Sequence, residues 1–357
     1  MRADVQGLMG GELGQWLDEQ STMRKEAKEK AYWRWTVGAC ILLPLLAFTW
    51  FAPIGFGDFK FIVSAIAVAG VGAWGYMPIN EAKKAIKIGI NSAIAKSLGI
   101  RYEHDVEPGS EFKAAKVYNL VPSYDRSEFE DRWFGDLEGH RFSLYEAHLE
   151  EQRGSGKNRR YVTVFRGAII DMSFGRTFHS TTLLQRKGKH KKWFGLGGRK
   201  DTVKFGGHIL DYVDQVHPEF EDVFEIYSDD QVEARVLVHP NYIEHLLALE
   251  KVFNGDAVRA LFSKGEVIIA VEGSDLFESG SMNESEDHKR AEQTANQFAA
   301  LARLALAINQ TERGKAGTIT GPSDARNLGE ASVLGGENEP EVAAFQRPVR
   351  GFGRKGL

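Results

Sequence analysis

Two apolar runs near the N-terminus constrain this chain more than any other feature. Residues 35–54 read WTVGACILLPLLAFTWFAPI without a charge, and residues 59–79 read FKFIVSAIAVAGVGAWGYMPI with only Lys60, near the start. About 20 helical residues, rising ~1.5 Å each, cross a hydrocarbon core of ~30 Å. Both runs meet that length. Gly55-Phe56-Gly57-Asp58 between them predicts a reversal, and so a two-helix transmembrane hairpin. Trp33, Trp35 and Trp50 flank the first run, and Trp74 and Tyr76 lie near the end of the second, where headgroup-level aromatics belong. Pro44 is tolerable in a span because neighbouring groups can satisfy the freed carbonyl. A signal peptide fits poorly, because its apolar region would be shorter and closer to the start.

Basic residues set the expected orientation. Arg24, Lys25, Lys28, Lys30 and Arg34 precede the first run, Lys83, Lys84 and Lys87 follow the second, and the turn offers only Lys60. The positive-inside bias then predicts both termini in the cytoplasm. Ala65, Ala69 and Ala73 form a helix face of small side chains, suited to close packing in lipid. Its simplest use is packing the hairpin's own helices; the sharper alternative is homodimerisation.

Outside the apolar runs, the sequence divides into four further parts. Residues 1–34 hold a polar helix over 11–30, with Leu13, Trp16 and Leu17 on one side, which should run into the first span. Residues 80–101 hold a juxtamembrane helix with Ile86, Ile90, Ile94 and Leu98 on one stripe. Its Lys83, Lys84 and Lys87 suit either acidic headgroups or a stalk packed on the following domain. Residues 102–310 read as an α+β domain with a mostly antiparallel sheet. Strands are expected at 141–150, 161–174 (with Gly167 as a bulge or close-approach point), 181–185, 223–228 and 234–239, the last two flanking a turn at Asp229-Asp230-Gln231. Pro240 should start a helix, VRALFS and EVIIAVEG should pair through Lys264-Gly265, and 286–309 should close the domain as an amphipathic helix. Strands followed by helix, hairpin and helix favour α+β over alternating β/α units. Residues 311–357 contain nine glycines and three prolines with few large apolar side chains, a composition expected to stay disordered.

The most distinctive polar segment is RKGKHKKWFGLGGRK, residues 186–200. Arg186, Lys187, Lys189, Lys191, Lys192, Arg199 and Lys200 surround Trp193 and Phe194 with no acid among them, which suits an anionic membrane surface. The same composition suits single-stranded nucleic acid or a solvated loop; a neighbouring hairpin ranks lipid above nucleic acid, and a net charge of −4 selects no nucleic acid.

Catalytic signatures are missing from the sequence. The glycines at 195–198 lead to Lys200-Asp201, where a phosphate loop needs Lys then Ser or Thr. His239 and Glu244-His245 are separated by four residues, where the inverted zinc motif needs two. The single Cys40 excludes cysteine-based zinc sites and disulfides within one chain. Asp229-Asp230 and Glu221-Asp222 are sequence neighbours, which a strand would point to opposite faces. No cofactor, no metal site and no catalytic residue is expected.

VPSYDRSEFEDRWFGDLEGHRFSLYEAHLE (121–150), VFRGAIIDMSFGRTF (164–178) and FEDVFEIYSDDQVEARVLVHPNYIEHLLAL (220–249) resemble a bacterial family of uncharacterised membrane proteins, domain-of-unknown-function family 3137. With the hairpin and EVIIAVEGSDLFE the resemblance spans about 10–310. It implies a module next to membrane helices, and a partner among helical membrane proteins of the LemA type. It brings no activity and no catalytic residue. The sequence therefore reads as a membrane-tethered cytoplasmic binding or scaffolding module. Its expected partners are the lipid bilayer and another membrane protein or a second copy, and Phe165, Phe224, Tyr227 and Val236 are expected in the core. The alternatives are an enzyme acting on a membrane-associated substrate, or a subunit of a larger membrane complex.

Overall fold

The computed structural model describes residues 11–51, 57, 59–137, 139–174, 178–187, 200–214, 222–255, 257–273 and 276–309, all within one unit, Met1–Gly317. The expected tail at 311–357 lies outside the described residues, as does most of the turn at 55–58.

Over the described residues, each apolar run lies in a much longer helix. Helix α1 spans Glu12–Phe51 and α2 spans Phe59–Ser97. The polar helix over 11–30 therefore does run into the first apolar segment, through Pro44, and the juxtamembrane helix continues the second. The helices meet where side chains are small: a Cβ on Gly38 would strike Val71, one on Gly75 the Trp35 ring, and one on Gly89 the Trp16 ring. Trp35 Nε1 also donates to the Gly72 carbonyl at 3.2 Å. Ala65, Ala69 and Ala73 are exposed, on a different side of α2. Packing within the hairpin thus uses glycine, where the alanine face had been expected, because bulky Trp16 and Trp35 need the deeper notch.

The chain then runs through β1 (Arg101–Asp105), α3 (Ser110–Val117), β2 (Arg126–Leu137), β3 (His140–Arg153) and β4 (Arg160–Ser173). It continues with β5 (Thr182–Arg186), β6 (Thr202–Phe205), β7 (His208–Tyr212) and β8 (Phe224–Ser228), then α4 (Gln231–Leu237) and α5 (Pro240–Val252). Strands β9 (Ala257–Ser263) and β10 (Glu266–Glu272) precede the last helix, α6 (Asp287–Asn309). All ten strands form one sheet in the order β1-β2-β3-β4-β10-β9-β5-β8-β7-β6, and every adjacent pair is antiparallel. The α+β reading holds.

The sheet is packed on both faces. Leu144, Ile170, Ile269, Ala260 and Ile226 share one core with Leu13 and Leu17 of α1, the Ile86-Ile90-Ile94 stripe of α2, and α5 and α6. Tyr145, Ile169, Leu261 and Tyr227 point the other way and pack with Phe112 and Ala115 of α3. Phe165, Phe224 and Tyr227 are buried as expected. The β9–β10 turn is the Lys264-Gly265 pair, both at positive φ (55° and 79°), the geometry a two-residue hairpin requires. Gly167 is a close-approach point, since a Cβ there would lie 2.0 Å from the Val271 carbonyl oxygen. The irregularity in β4 pairing lies elsewhere, opposite Leu149 and Glu150.

One predicted strand is a helix. Residues 234–239 fall in α4 and just after it, and Asp229-Asp230-Gln231 forms no strand-to-strand turn. Asp230 caps α4, its Oδ1 accepting from the amides of Val232 (2.9 Å) and Glu233 (3.0 Å). These hydrogen bonds satisfy amides that a strand would have paired elsewhere. Val236 consequently faces outward, at 38% exposure, and is not core. Asp230→Ala is expected to lower stability by about 1 kcal/mol, read from thermal melts, because the capping acceptor is lost.

Candidate functional site

A cluster of buried charge lies where α2 meets the sheet. Lys87 follows directly on the apolar stripe, and helical spacing puts Asn91 one turn later on the same side. Asn91 Nδ2 donates to the Phe277 carbonyl (3.3 Å), and Ser279 Oγ donates to Asn91 Oδ1 (2.7 Å). These bonds tie α2 to the segment between β10 and α6. A Cβ on Gly280 would lie 2.4 Å from the Lys83 carbonyl, so that segment approaches the helix closely.

The Lys87 ammonium lies 2.5 Å from Asp131 Oδ2, 2.9 Å from Glu278 Oε1 and 3.6 Å from Glu130 Oε2. Asp131 is fully buried. Its other oxygen accepts from the Tyr102 hydroxyl at 2.6 Å and lies 3.1 Å from His104 Nδ1. Asp131 holds this place through an irregularity in β2. Its φ is +58°, and pairing with β3 shifts register between Glu130 and Trp133. A non-glycine residue in that region of φ is uncommon and points to local constraint. Burial acts to lower the Lys87 pKa, but the Asp131 and Glu278 carboxylates outweigh it and hold the ammonium above the ordinary lysine value. Burial and the Asp131 charge raise the Tyr102 phenol, which stays protonated and able to donate.

Glu146, opposite Glu130 on β3, completes the cluster. It is 6% exposed, and its buried Oε1 has no hydrogen-bond partner. Burial pushes its carboxyl well above the ordinary range, and Asp131, Glu278 and Glu130 push the same way against Lys87. The folded chain therefore binds a proton here that the unfolded chain has released above its carboxyl pKa of about 4.3. Stability from this group is fully present below that value and is lost as pH rises toward the folded pKa. Glu146→Gln keeps the neutral shape and removes that slope. The variant is expected to melt higher than the parent at pH 8 and close to it at pH 4.5; the reverse order would contradict a protonated Glu146.

A cleft of about 620 Å³, lined by Lys83, Lys84, Lys87, His104, Glu130 and Glu278 among others, opens beside the cluster. Two overlapping sets have the spacing to hold a metal: His104 with Glu130 and Asp131, and Glu130, Asp131, Glu146 and Glu278.

None of these groups is singled out from sequence as a site; of the two roles open to Lys87, headgroup contact or a stalk packed on the domain, its burial fits the second. Of the residues in the basic segment that were singled out, Arg186, Lys187 and Lys200 are described, and their contacts lie with other groups. Arg186 pairs with Glu250 and stacks 4.9 Å from the Phe224 ring centre, and Lys187 pairs with Asp222 at 3.1 Å. The Lys200 carbonyl accepts from Tyr227 at 3.1 Å. Lys189, Lys191, Lys192, Trp193, Phe194 and Arg199 lie outside the described residues. The signal that could have found the cluster is the Lys87–Asn91 pair bordering an apolar stripe, since a polar pair there must find buried partners.

Residues 163–310 match the family model described as "Protein of unknown function (DUF3137)". Over that stretch the chain is similar to the DUF3137 family. The DUF3137 stretch starts inside β4 and ends with α6, so it is narrower than the resemblance at 10–310. It contains Glu278 but neither the hairpin nor Lys87, Asp131 and Glu146. No curated protein matches the chain. Among solved structures, the crystal structure of the mycobacterial trehalose monomycolate transport factor A is similar at 10% identity and a TM-score of 0.32, covering 61% of this chain and 95% of that one. A likeness that low assigns neither fold nor function to this chain.

Proposed function

We propose that the hairpin crosses a bacterial inner membrane with both termini in the cytoplasm, and that it holds the α+β domain at the inner leaflet as a binding or scaffolding module. The observation that carries this reading is the exposure of the apolar helices. Within their most apolar windows only 6% and 11% of residues are buried. Ile41, Phe51 and Ile66 are 63%, 88% and 68% exposed. Apolar area left in water forgoes roughly 25 cal/mol per Å², so faces like these need lipid or a partner.

Aromatic and basic groups gather at both ends of the hairpin. Arg34 stacks on Trp74, with Trp33 near it, and Lys60 stacks on Trp50 at the other end. Such belts suit the two headgroup levels of one bilayer. Arg24 and Lys87 are buried in protein, so the positive-inside bias rests on Lys25, Lys28, Lys30, Arg34, Lys83 and Lys84. Within the 186–200 segment, Arg186 and Lys187 already have acidic partners, so lipid contact there falls to the five cations from Lys189 to Lys200.

Cysteine labelling tests the topology. In a Cys40→Ala background, Gly57→Cys should react with a membrane-impermeant maleimide in spheroplasts, and Lys28→Cys only after permeabilisation. The opposite pattern overturns the orientation, and release of the chain by carbonate overturns the span. Binding of the chain's 186–200 segment to anionic vesicles should weaken with salt; equal binding to neutral vesicles removes lipid from the reading.

A second reading, an enzyme acting on a membrane-associated substrate, draws on the convergence of Lys87, Tyr102, Asp131 and Glu146 beside a cleft. The binding module ranks higher because the sheet is filled by side chains on both faces and the acid group Glu146 is itself buried.

A further inference from the structure

The buried cluster holds more negative groups than its single ammonium matches. Glu130 and Asp131 come from β2, Glu146 from β3 and Glu278 from the segment before α6, and one oxygen of each lies within 4.8 Å of the others. Metal–oxygen distances for hard divalent cations are about 2.0–2.6 Å, so opposite ligands in one shell are about 4–5 Å apart. The four oxygens already fit inside one such shell.

Lys87 does not fill this space evenly. Its ammonium reaches Asp131, Glu278 and Glu130, while Glu146 has no ion-pair partner among the described residues. The Glu146 carboxyl, on a residue more than nine-tenths buried, has an unpartnered Oε1 and places one of its oxygens in the same group. The second oxygen of Asp131 is oriented by Tyr102 and His104, as outer-shell groups orient a ligand carboxylate. The cleft along Lys87, Glu130 and Glu278 gives an ion a path from solvent. An all-oxygen set favours magnesium, manganese or calcium over softer metals.

We propose that Glu130, Asp131, Glu146 and Glu278 form a binding site for a hard divalent cation, which takes the place of the Lys87 ammonium among them. The ion and the lysine then compete for one set of carboxylates: the lysine joins α2 to them, whereas the ion joins β2 and β3 to the segment before α6. This site stands independently of the membrane reading.

Manganese titration of the purified full-length chain in detergent at pH 8, followed by the electron paramagnetic resonance signal of free Mn²⁺, tests the site. The parent is expected to bind one Mn²⁺ per chain. Glu146→Gln, which keeps the protonated shape and so the fold, should bind at least tenfold more weakly. Lys87→Met, freed of the competing ammonium, should bind at least tenfold more tightly and gain more in melting temperature from Mn²⁺ than the parent does. Absence of a saturable site in the parent, or equal affinity in parent and Glu146→Gln, overturns the proposal. If Lys87→Met does not fold, the comparison of parent with Glu146→Gln decides alone.

Discussion

Lys87→Met is expected to destabilise the metal-free chain by about 3–5 kcal/mol, the range for removing one partner of a buried ion pair. Asp131 is fully buried and would lose the ammonium at 2.5 Å, and Glu278 would lose the one at 2.9 Å. Methionine replaces most of the aliphatic stem, so the loss is one of charge more than packing. Urea denaturation of the detergent-solubilised chain, followed by tryptophan fluorescence, reads the difference. Asp131→Asn in the same chain should recover part of it, because two neutral partners leave less uncompensated charge. Strictly additive losses in the double variant would show that the two groups do not act as a pair.

Trp133→Ala is the second large effect, at about 3–5 kcal/mol for truncating a buried aromatic. Trp133 is fully buried, with the rings of Phe298, Tyr102 and Phe277 at centroid distances of 4.5, 4.9 and 5.2 Å. It therefore joins β1 and β2 to α6, packing on Tyr102, whose hydroxyl donates to Asp131 of the cluster. Its indole N–H is buried without a hydrogen-bond partner. Trp133→Phe should thus lose much less than alanine does, since an unpaired donor leaves together with part of the ring. A phenylalanine variant as unstable as the alanine variant would mean that the N–H has a partner. Near-UV circular dichroism with urea melts separates the outcomes.

These two positions show where sequence reasoning reached its limit. Strand β2 was not predicted, because its alternation breaks inside it. Phe129 and Trp133 are an even number of residues apart, so a regular strand would point them to one face. They point to opposite faces, Phe129 toward the α3 side and Trp133 toward the α6 side. The irregularity at Asp131 changes the phase, and the same irregularity aims Asp131 at Lys87. A period-2 search loses the strand at the residue that builds the site. Strand β1, RYEHD, is nearly all polar; its Tyr102 and His104 turn inward only because Asp131 is there to receive them. Residues 234–239 failed for a different reason. Their β-branched composition favours a strand, but the Asp230 cap and the buried Ala234 and Leu237 commit them to a helix.

What the sequence determined by itself was the part governed by local pattern and length. Two apolar runs of spanning length can only form helices in an apolar surrounding, and the Ile86-Ile90-Ile94 stripe can only be satisfied by burial against other apolar groups. The Lys264-Gly265 turn and the Pro240 helix start follow from backbone preferences of one or two residues. Tertiary structure alone decided where charge is buried, because that depends on residues distant in sequence, such as Lys87, Asp131 and Glu278, meeting in space. Lys87, Asp131 and Glu278 each look like ordinary surface residues in their own segments. Only the close approach of α2, the displaced phase of β2 and the segment before α6 removes them from water together, and desolvation then turns ordinary surface charges into a strongly coupled group.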